Sequence, residues 1–183
     1  EADERIRVME ETIRGRLGNA VFSSDGRKME QVVIGMLKEE GLRLSIAESC
    51  TGGRILDRIT NVPGASEVLD RGVVVYSNKS KEEILGVKSE TLGTYGAVSE
   101  ETAVEMARGI RRISGSDVGI AVTGIAGPGG GTPQKPVGLV CFAISAAEGE
   151  KSERRFFAGS RDRIKNYSSL YAMNMIRLYL VDR

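Results

Sequence analysis

The chain has 183 residues, of which 40% are hydrophobic and 28% are charged, and its formal net charge is +1. This balance suits one α/β domain, and it excludes a global electric field that would select nucleic acid or an anionic membrane. The sequence contains no histidine, which excludes Ser-His-Asp and Cys-His catalysis and histidine-based zinc sites. Any proton transfer must therefore use Lys, Asp, Glu, Tyr, Cys or water.

Cys50 and Cys141 are the only cysteines and lie far apart in the sequence. We therefore expect free thiols in a reducing setting and a cytoplasmic protein. No apolar run approaches the length of a membrane span, and no signal peptide is visible. Because the sequence begins with Glu1 rather than Met, we expect a fragment of a longer protein or a processed one.

The first half of the chain alternates helical and strand-like patterns. Apolar residues at helical spacing predict a helix within residues 1–17 and a second one over residues 29–37. Residues 42–47 form a short apolar strand, and residues 51–60 are predicted to be helical. The continuous run Gly72-Val73-Val74-Val75-Tyr76 is typical of a buried central strand.

Two helices follow this run, and the sequence indicates where each begins. The first lies near Lys81 and is expected to have Asn78 or Ser80 as its N-cap, with Ser80 and Glu83 matching a capping box. Ser99 is predicted to cap the second helix.

The last third of the chain is predicted to contain three strands and one helix. Residues 118–122 form a strand, and residues 124–136 form a loop rich in Gly and Pro. Residues 137–145 and 154–157 are expected to pair as a hairpin, and residues 161–181 form the last helix.

This order of elements predicts a three-layer α/β/α sandwich with a mixed, mostly parallel sheet. We divide the chain into an N-terminal helical or linker segment, residues 1–27, and one domain over residues 28–183. In such sheets ligands bind beyond the carboxyl ends of the strands. Three loops leave those ends, after Ala47, after Tyr76 and after Val122, and they carry the unusual side chains.

The first loop places Ser49 between a strand and a helix. Such a turn exposes its side chain and aims backbone N–H groups at one point, which favours a nucleophile beside an oxyanion site. Gly52 and Gly53 would let a substrate approach the backbone closely. The alternative is that Ser49 only caps the helix.

Three neighbours of Ser49 have open roles. Cys50 is a competing nucleophile, because a thiol at a helix N-terminus can have a lowered pKa, or a small buried residue. Thr51 either caps the helix or donates to a substrate. Glu48 either orients a catalytic group or accepts from backbone amides.

The second loop offers a base for a serine in a chain without histidine. A desolvated lysine can serve, since burial disfavours its charged form, and Ser-Lys pairs are a known variant of the triad. Lys81 is the candidate base, and Tyr76 could pass a proton or fix the lysine. The alternative is that Lys81 is solvated at a helix start and Tyr76 belongs to the strand core.

The third loop carries successive glycines between Thr123 and Thr132. Their amides can form an anion-binding nest, to which Lys135 could add charge. Arg161 and Arg163, at the start of the last helix, could reach a phosphate. The alternatives are a flexible surface loop and a solvated helix end.

Together these motifs resemble the C-terminal domain of the CinA family (competence-damage-inducible protein A), over roughly Ser45 to Arg163. The motifs that carry the resemblance are Ala47 to Gly53, Tyr76-Ser77-Asn78 with Lys81, Gly96-Ala97-Val98-Ser99, Thr123 to Pro128, Lys135-Pro136-Val137-Gly138 and Phe157 to Arg161. Longer members carry an N-terminal domain that resembles molybdopterin-binding proteins.

The resemblance implies an enzyme that deamidates nicotinamide mononucleotide to nicotinic acid mononucleotide and ammonia. It implies Ser49 as the nucleophile, Lys81 and Tyr76 as its partners, and no cofactor or metal. The substrate-binding residues we expect are Glu48, Thr51, Gly52, Gly53, Thr123, Gly124, Gly127, Lys135 and Arg161.

The expected partner is a small phosphorylated nucleotide, without nucleic acid or membrane, and the expected state is a homo-oligomer, first of all a dimer formed through residues 1–17. The alternatives are a non-catalytic nucleotide-binding or regulatory module and a structural partner of a missing N-terminal half.

Overall fold

The computed structural model describes residues 2–183, and its strands all belong to one sheet. The strands are β1 (Leu44–Glu48), β2 (Leu69–Val74), β3 (Val118–Gly124), β4 (Leu139–Ala146) and β5 (Gly149–Phe156). They lie side by side in the order β2-β1-β3-β4-β5. β1 pairs in parallel with β2 and β3, whereas β4 pairs antiparallel with both β3 and β5. The predicted mixed sheet with a late hairpin is confirmed, although β5 begins five residues earlier than Arg154.

The described residues also form helices, most of which pack on the two faces of this sheet. They are α1 (Ala2–Leu17), α2 (Met29–Glu39), α3 (Arg54–Thr60), α4 (Asn78–Leu85), α5 (Ser89–Tyr95), α6 (Glu100–Ser114) and α7 (Arg161–Val181). One apolar core joins α2, α3 and α7 to one face, and a second joins α4, α5 and α6 to the other. The three-layer α/β/α prediction is therefore confirmed.

The β-branched run at residues 72–76 forms the end of an edge strand, not the predicted central one. β2 pairs only with β1, and Val74 is 45% exposed. Only Val75 of this run is fully buried. β-Branched residues suit any strand that packs on one face, so this composition does not distinguish an edge from a centre. The consequence for function is that the loop after β2 begins at the margin of the sheet.

The N-terminus of α4 is also capped differently from the prediction. Ser77, rather than Asn78 or Ser80, is the N-cap, and its hydroxyl accepts a hydrogen bond from the Ser80 amide at 3.0 Å. The Ser80 hydroxyl accepts in return from the Ser77 amide at 3.1 Å. The box is therefore one turn earlier than the pairing of Ser80 with Glu83. The predicted cap of α6 is confirmed, since Ser99 accepts from the Thr102 amide at 3.1 Å.

The helix predicted within residues 1–17 is present as α1. Its apolar side chains, Ile6, Met9, Ile13 and Leu17, are exposed. The dimer through this segment stays a prediction. Among residues 2–183, no helix combines the length and the apolar character needed to cross a membrane.

The packing of α6 against α4 gives a first test, because α4 carries Lys81. A Cβ atom on Gly109 of α6 would lie 2.2 Å from the Leu85 carbonyl oxygen, whereas one on Gly93 of α5 would meet nothing within 4 Å. We expect Gly109→Ala to lower the free energy of unfolding by about 1–3 kcal/mol through overpacking. Gly93→Ala should raise it by about 0.5–1 kcal/mol, because alanine is the better helix former.

Urea unfolding of both variants measures this contrast. The same sign for the two substitutions would contradict the close approach of α6 to α4.

Candidate active site

The three loops begin side by side because β1, β2 and β3 are parallel neighbours. Glu48, the last residue of β1, pairs with Val74 of β2 and with Val122 of β3. The Ser49 amide continues this register by donating to the Val122 carbonyl at 3.0 Å, and the Val75 amide donates to the Glu48 carbonyl at 2.8 Å. Ser49 therefore leaves the sheet between the other two loops.

Glu48 provides the cap of α3. Its buried carboxylate accepts from the Gly53 amide at 2.9 Å and from the Leu56 amide at 2.8 Å. A negative charge at a helix N-terminus satisfies orphan amides and is stabilised by the helix dipole. Of the two roles considered for Glu48, the structure places it in contact with amides. The serine side chain is therefore not needed as a cap.

The Ser49 hydroxyl lies beside the Lys81 amine. Lys81 Nζ is 3.1 Å from Ser49 Oγ, 2.8 Å from the Val75 carbonyl oxygen and 3.5 Å from the Tyr76 carbonyl oxygen. The Lys81 side chain is only 1% exposed, so it is not a solvated charge at a helix start. Two residues that are 32 positions apart in sequence thus form one hydrogen-bonded pair.

The three oxygens around Lys81 Nζ can accept from an ammonium, and they also fit a neutral amine whose lone pair meets the serine hydroxyl. A neutral lysine has two N–H groups, which can donate to the Val75 and Tyr76 carbonyls, and one lone pair, which then faces the Ser49 hydroxyl. No carboxylate forms an ion pair with Lys81 within residues 2–183. Burial without a counter-charge lowers the pKa of Lys81 from its ordinary value of 10.5. The short Nζ–Oγ distance and the burial of Lys81 together favour it as an acceptor of the serine proton.

Cys50 is placed unfavourably for a nucleophile. Its side chain is buried among the apolar residues between the sheet and α2, α3 and α7. Burial raises the pKa of the Cys50 thiol to about 12, so the helix N-terminus does not produce a reactive thiolate. Of the two interpretations of Cys50, the structure favours the small buried residue.

Tyr76 lies at the surface, with 62% of its area exposed. Its hydroxyl accepts a hydrogen bond from Arg161 Nη2 at 3.0 Å. Lys81 is held by the main-chain carbonyl of Tyr76 and not by the phenol. Because Lys81 contacts Ser49 directly, a proton can pass between them without a phenol in the path.

The amides that could stabilise an oxyanion are fewer than the sequence suggested. The Gly52 amide donates to the Ser49 carbonyl at 3.1 Å, and the Gly53 amide is bound by Glu48. The amides of Cys50 and Thr51, directly after the serine, donate to no main-chain carbonyl in residues 2–183, and the Cys50 amide faces only its own thiol. The Thr51 hydroxyl is likewise fully buried without a hydrogen-bond partner. An unpaired buried hydroxyl is costly unless a ligand completes it.

The third loop is tied to the segment before α6. The buried Thr123 hydroxyl donates to the Ala97 carbonyl at 2.7 Å, which leaves it free only to accept from a ligand. Lys135 Nζ donates to the Val98 carbonyl at 2.6 Å and also to the Tyr95 carbonyl. Gly124 is required by packing, since a Cβ there would lie 2.8 Å from the Leu139 carbonyl oxygen.

Arg161 joins the second and third loops. Its guanidinium donates to the Gly127 carbonyl at 2.6 Å through Nη1 and to the Tyr76 hydroxyl through Nη2. Arg163 is directed elsewhere, because its guanidinium lies over the Tyr167 ring at 5.3 Å. Of the two arginines proposed for a phosphate, only Arg161 contacts residues of the candidate site.

Three elements of the site were missed by the sequence interpretation. The Val75 and Tyr76 carbonyls hold the lysine, but a main-chain carbonyl has no signature in sequence. Lys165 is the third, since its Nζ atom would lie 3.3 Å from a Cβ atom on Gly52. The spacing of four residues from Arg161 was a usable signal, because i and i+4 share one face of a helix.

The positive charges at the site are not neutralised. Arg161 and Lys135 donate only to neutral groups, and within residues 2–183 no carboxylate forms an ion pair with them or with Lys165. No group of three His, Cys, Asp or Glu side chains in the described part of the chain could hold a metal ion. The site therefore suits an anionic ligand of modest size.

A cavity of about 600 Å³ lies elsewhere, between the β4–β5 turn and the end of α7. Tyr171, Met175 and Tyr179 line it, together with the acidic residues Glu148 and Glu150. It contains none of the candidate residues and lies at the opposite end of the sheet from Ser49, since the turn faces the start of β3.

The fold and the site define a class: an α/β/α domain with a serine–lysine pair at the carboxyl ends of parallel strands. The model of the CinA C-terminal domain matches residues 26–180. The chain therefore belongs to the CinA family.

Known proteins support this assignment. A relative from Caldanaerobacter subterraneus subsp. tengcongensis, provisionally named a competence-damage inducible protein, is 48% identical over 100% of this chain and 44% of its own length. The competence/damage inducible protein CihA from Agrobacterium tumefaciens has a TM-score of 0.80 at 42% identity, over 87% of this chain and 98% of its own. A CinA superfamily protein from Enterobacter cloacae has a TM-score of 0.80 at 38% identity, and the match covers 83% of this chain and 90% of that protein's chain. The chain thus spans less than half the length of the curated relatives it matches.

The buried thiols give a direct chemical test. The pKa of Cys50 is raised to about 12 and that of Cys141 to about 11, in both cases chiefly by burial. We expect neither thiol of the native protein to react with Ellman's reagent within minutes at about pH 8, where an ordinary thiol is substantially ionised. The unfolded protein should release two equivalents of thionitrobenzoate per chain, one for each cysteine. Rapid reaction of one native thiol would contradict the burial of Cys50 or Cys141.

The lowered pKa of Lys81 predicts how stability depends on pH. Between the folded pKa and the unfolded value of about 10.4, the unfolded chain binds a proton that the folded chain does not. The free energy of unfolding should therefore rise with pH in that window. We expect the difference in free energy of unfolding between wild type and Lys81→Met to grow in favour of wild type as the pH is raised from the folded pKa towards the unfolded value. Urea unfolding at several pH values measures it, and a constant or shrinking difference would contradict a lowered pKa.

Proposed function

We propose that the protein hydrolyses the carboxamide of nicotinamide mononucleotide, releasing nicotinic acid mononucleotide and ammonia. The contact that carries this proposal is the 3.1 Å hydrogen bond between Ser49 Oγ and the buried Lys81 Nζ. A serine activated by a neutral lysine is a nucleophile suited to acyl transfer. The un-neutralised positive charge of Lys135 and Arg161 supports a phosphorylated substrate.

In the proposed first step, Ser49 Oγ attacks the carboxamide carbon while its proton passes to the Lys81 amine. The amides of Cys50 and Thr51 donate to no main-chain carbonyl in residues 2–183, so they are available to the oxyanion of the tetrahedral intermediate. Protonated Lys81 then gives its proton to the departing nitrogen, and ammonia leaves. The products of this step are the acyl-Ser49 ester and a neutral lysine.

Water completes the reaction. Neutral Lys81 accepts a proton from the attacking water, the ester carbonyl passes through a second tetrahedral intermediate, and the proton returns to Ser49 Oγ as its bond to the acyl carbon breaks. The carboxylic acid product then releases its own proton to solvent. Glu48 keeps the serine turn in place through α3, and it touches amides only. Thr51, Thr123 and Tyr76 are proposed to contact the substrate, while Gly52 leaves room for it.

Loss of the serine or the lysine should abolish turnover. We expect Ser49→Ala and Lys81→Ala each to lower kcat for ammonia release from nicotinamide mononucleotide by at least about a thousandfold, since nucleophile and base act as one unit. Lys79→Ala is the matched control, because Lys79 is exposed and pairs only with Glu83. Near-wild-type release by either active-site variant would overturn the assignment.

The same experiment distinguishes the proposed amidohydrolase from a non-catalytic nucleotide-binding module and from an enzyme that uses Cys50. If wild type binds the nucleotide without releasing ammonia, the domain is a non-catalytic nucleotide-binding module. If Cys50→Ser loses turnover while Ser49→Ala keeps it, the thiol is the nucleophile in spite of its burial.

A further inference from the structure

A lysine outside the sequence motifs lies at the serine turn. Lys165 is on α7, and a Cβ atom on Gly52 would come within 3.3 Å of Lys165 Nζ. Gly52 itself is bound to the serine through its amide, which donates to the Ser49 carbonyl at 3.1 Å. The Lys165 ammonium therefore rests directly against the turn that carries the nucleophile.

The ammonium of Lys165 makes no short contact with an acidic side chain in the part of the protein that the structure describes. No hydrogen bond or ion pair engages its ammonium within residues 2–183. The nearby carboxylate, Asp162, forms its ion pair with Arg54 at 2.6 Å and interacts with Lys165 only over a longer distance. A half-buried ammonium without a hydrogen-bonded partner is available to a ligand, and its compact charge suits a phosphate oxygen.

Arg161 lies one turn before Lys165 on the same face of α7. Its guanidinium is held by two neutral acceptors, the Gly127 carbonyl and the Tyr76 hydroxyl. The fully buried Thr51 hydroxyl, which has no partner, is next to Gly52. Lys165 thus lies at the exposed Gly52, next in sequence to the unpaired Thr51 hydroxyl, and Arg161 lies one helical turn from Lys165.

We propose that Lys165, with Arg161, binds the phosphate group of the substrate and makes the site selective for the nucleotide over its nucleoside. This inference rests on the proposed function for its choice of substrate. Lys165 acts on the substrate's affinity and not on the acyl-transfer steps, because Lys81 already supplies the base. Gly52 contributes to this arrangement, since a Cβ atom there would crowd the ammonium at 3.3 Å and strain a backbone with a φ of +60°.

Calorimetry on the Ser49→Ala protein tests the proposal without turnover. The probes are nicotinamide mononucleotide and nicotinamide riboside, which differ only in the phosphate. In this background we expect Lys165→Met to weaken binding of the mononucleotide about tenfold, as expected for loss of a charge-assisted hydrogen bond, and to change binding of the riboside less than about twofold. Lys165→Arg should retain most of the affinity.

Arg163→Met is the matched control. It removes one positive charge from the same turn of α7, but its guanidinium lies over Tyr167. We expect it to leave the affinity for the mononucleotide within about twofold of the parent protein. Thermal unfolding of each variant confirms that the proteins compared are folded.

The outcomes separate this proposal from the proposed function. Equal weakening of both probes by Lys165→Met, or no weakening of either, overturns the phosphate assignment, as does failure of the Ser49→Ala protein to bind the mononucleotide. If the phosphate-dependent loss is observed but the protein with Ser49 intact releases no ammonia, the phosphate site stands and the amidohydrolase proposal fails.

Discussion

The burial of Lys81 against Ser49 is the constraint on which the rest of the site depends. A lysine that is 1% exposed and has no carboxylate partner is unfavourable as a cation, and its pKa falls accordingly. The fold maintains this arrangement through the Ser77 cap of α4 and through Gly109 of α6, which lets the two helices touch. Unfavourable burial of this kind is typical of functional sites, where activity opposes stability.

The fold also leaves the Ser49 side chain without a capping role at the N-terminus of α3. In the majority of strand-to-helix turns, a serine in this position would accept hydrogen bonds from the first amides of the helix. Here the Glu48 carboxylate does so, by accepting from Gly53 and Leu56. Ser49 Oγ can then contact Lys81, and the amides of Cys50 and Thr51 stay available. The buried carboxylate of Glu48 thus caps the helix, while Ser49 contacts Lys81.

The layered fold and the three loops could be predicted from the sequence, because periodicity and the order of elements are local signals. The absence of histidine pointed to Lys81 as a base for Ser49, and the two are in contact. Other features depend on contacts between distant segments and leave no local signal. These are the edge position of β2, the Val75 carbonyl that orients the lysine, and the placement of Lys165 against Gly52. The cap at Ser77 was missed for a different reason, since several polar residues there fit the same motif.

The central claim is that burial beside Ser49 lowers the pKa of Lys81 below that of an ordinary lysine, which makes its neutral amine more accessible. Its pKa can be measured by NMR titration of protein carrying ¹³Cε-labelled lysine, with the resonance assigned by its loss in Lys81→Met. The structure predicts a pKa below the ordinary lysine value of about 10.4, and below those of the exposed lysines in the same spectrum. A Lys81 resonance that titrates with the exposed lysines, or above them, would contradict the account.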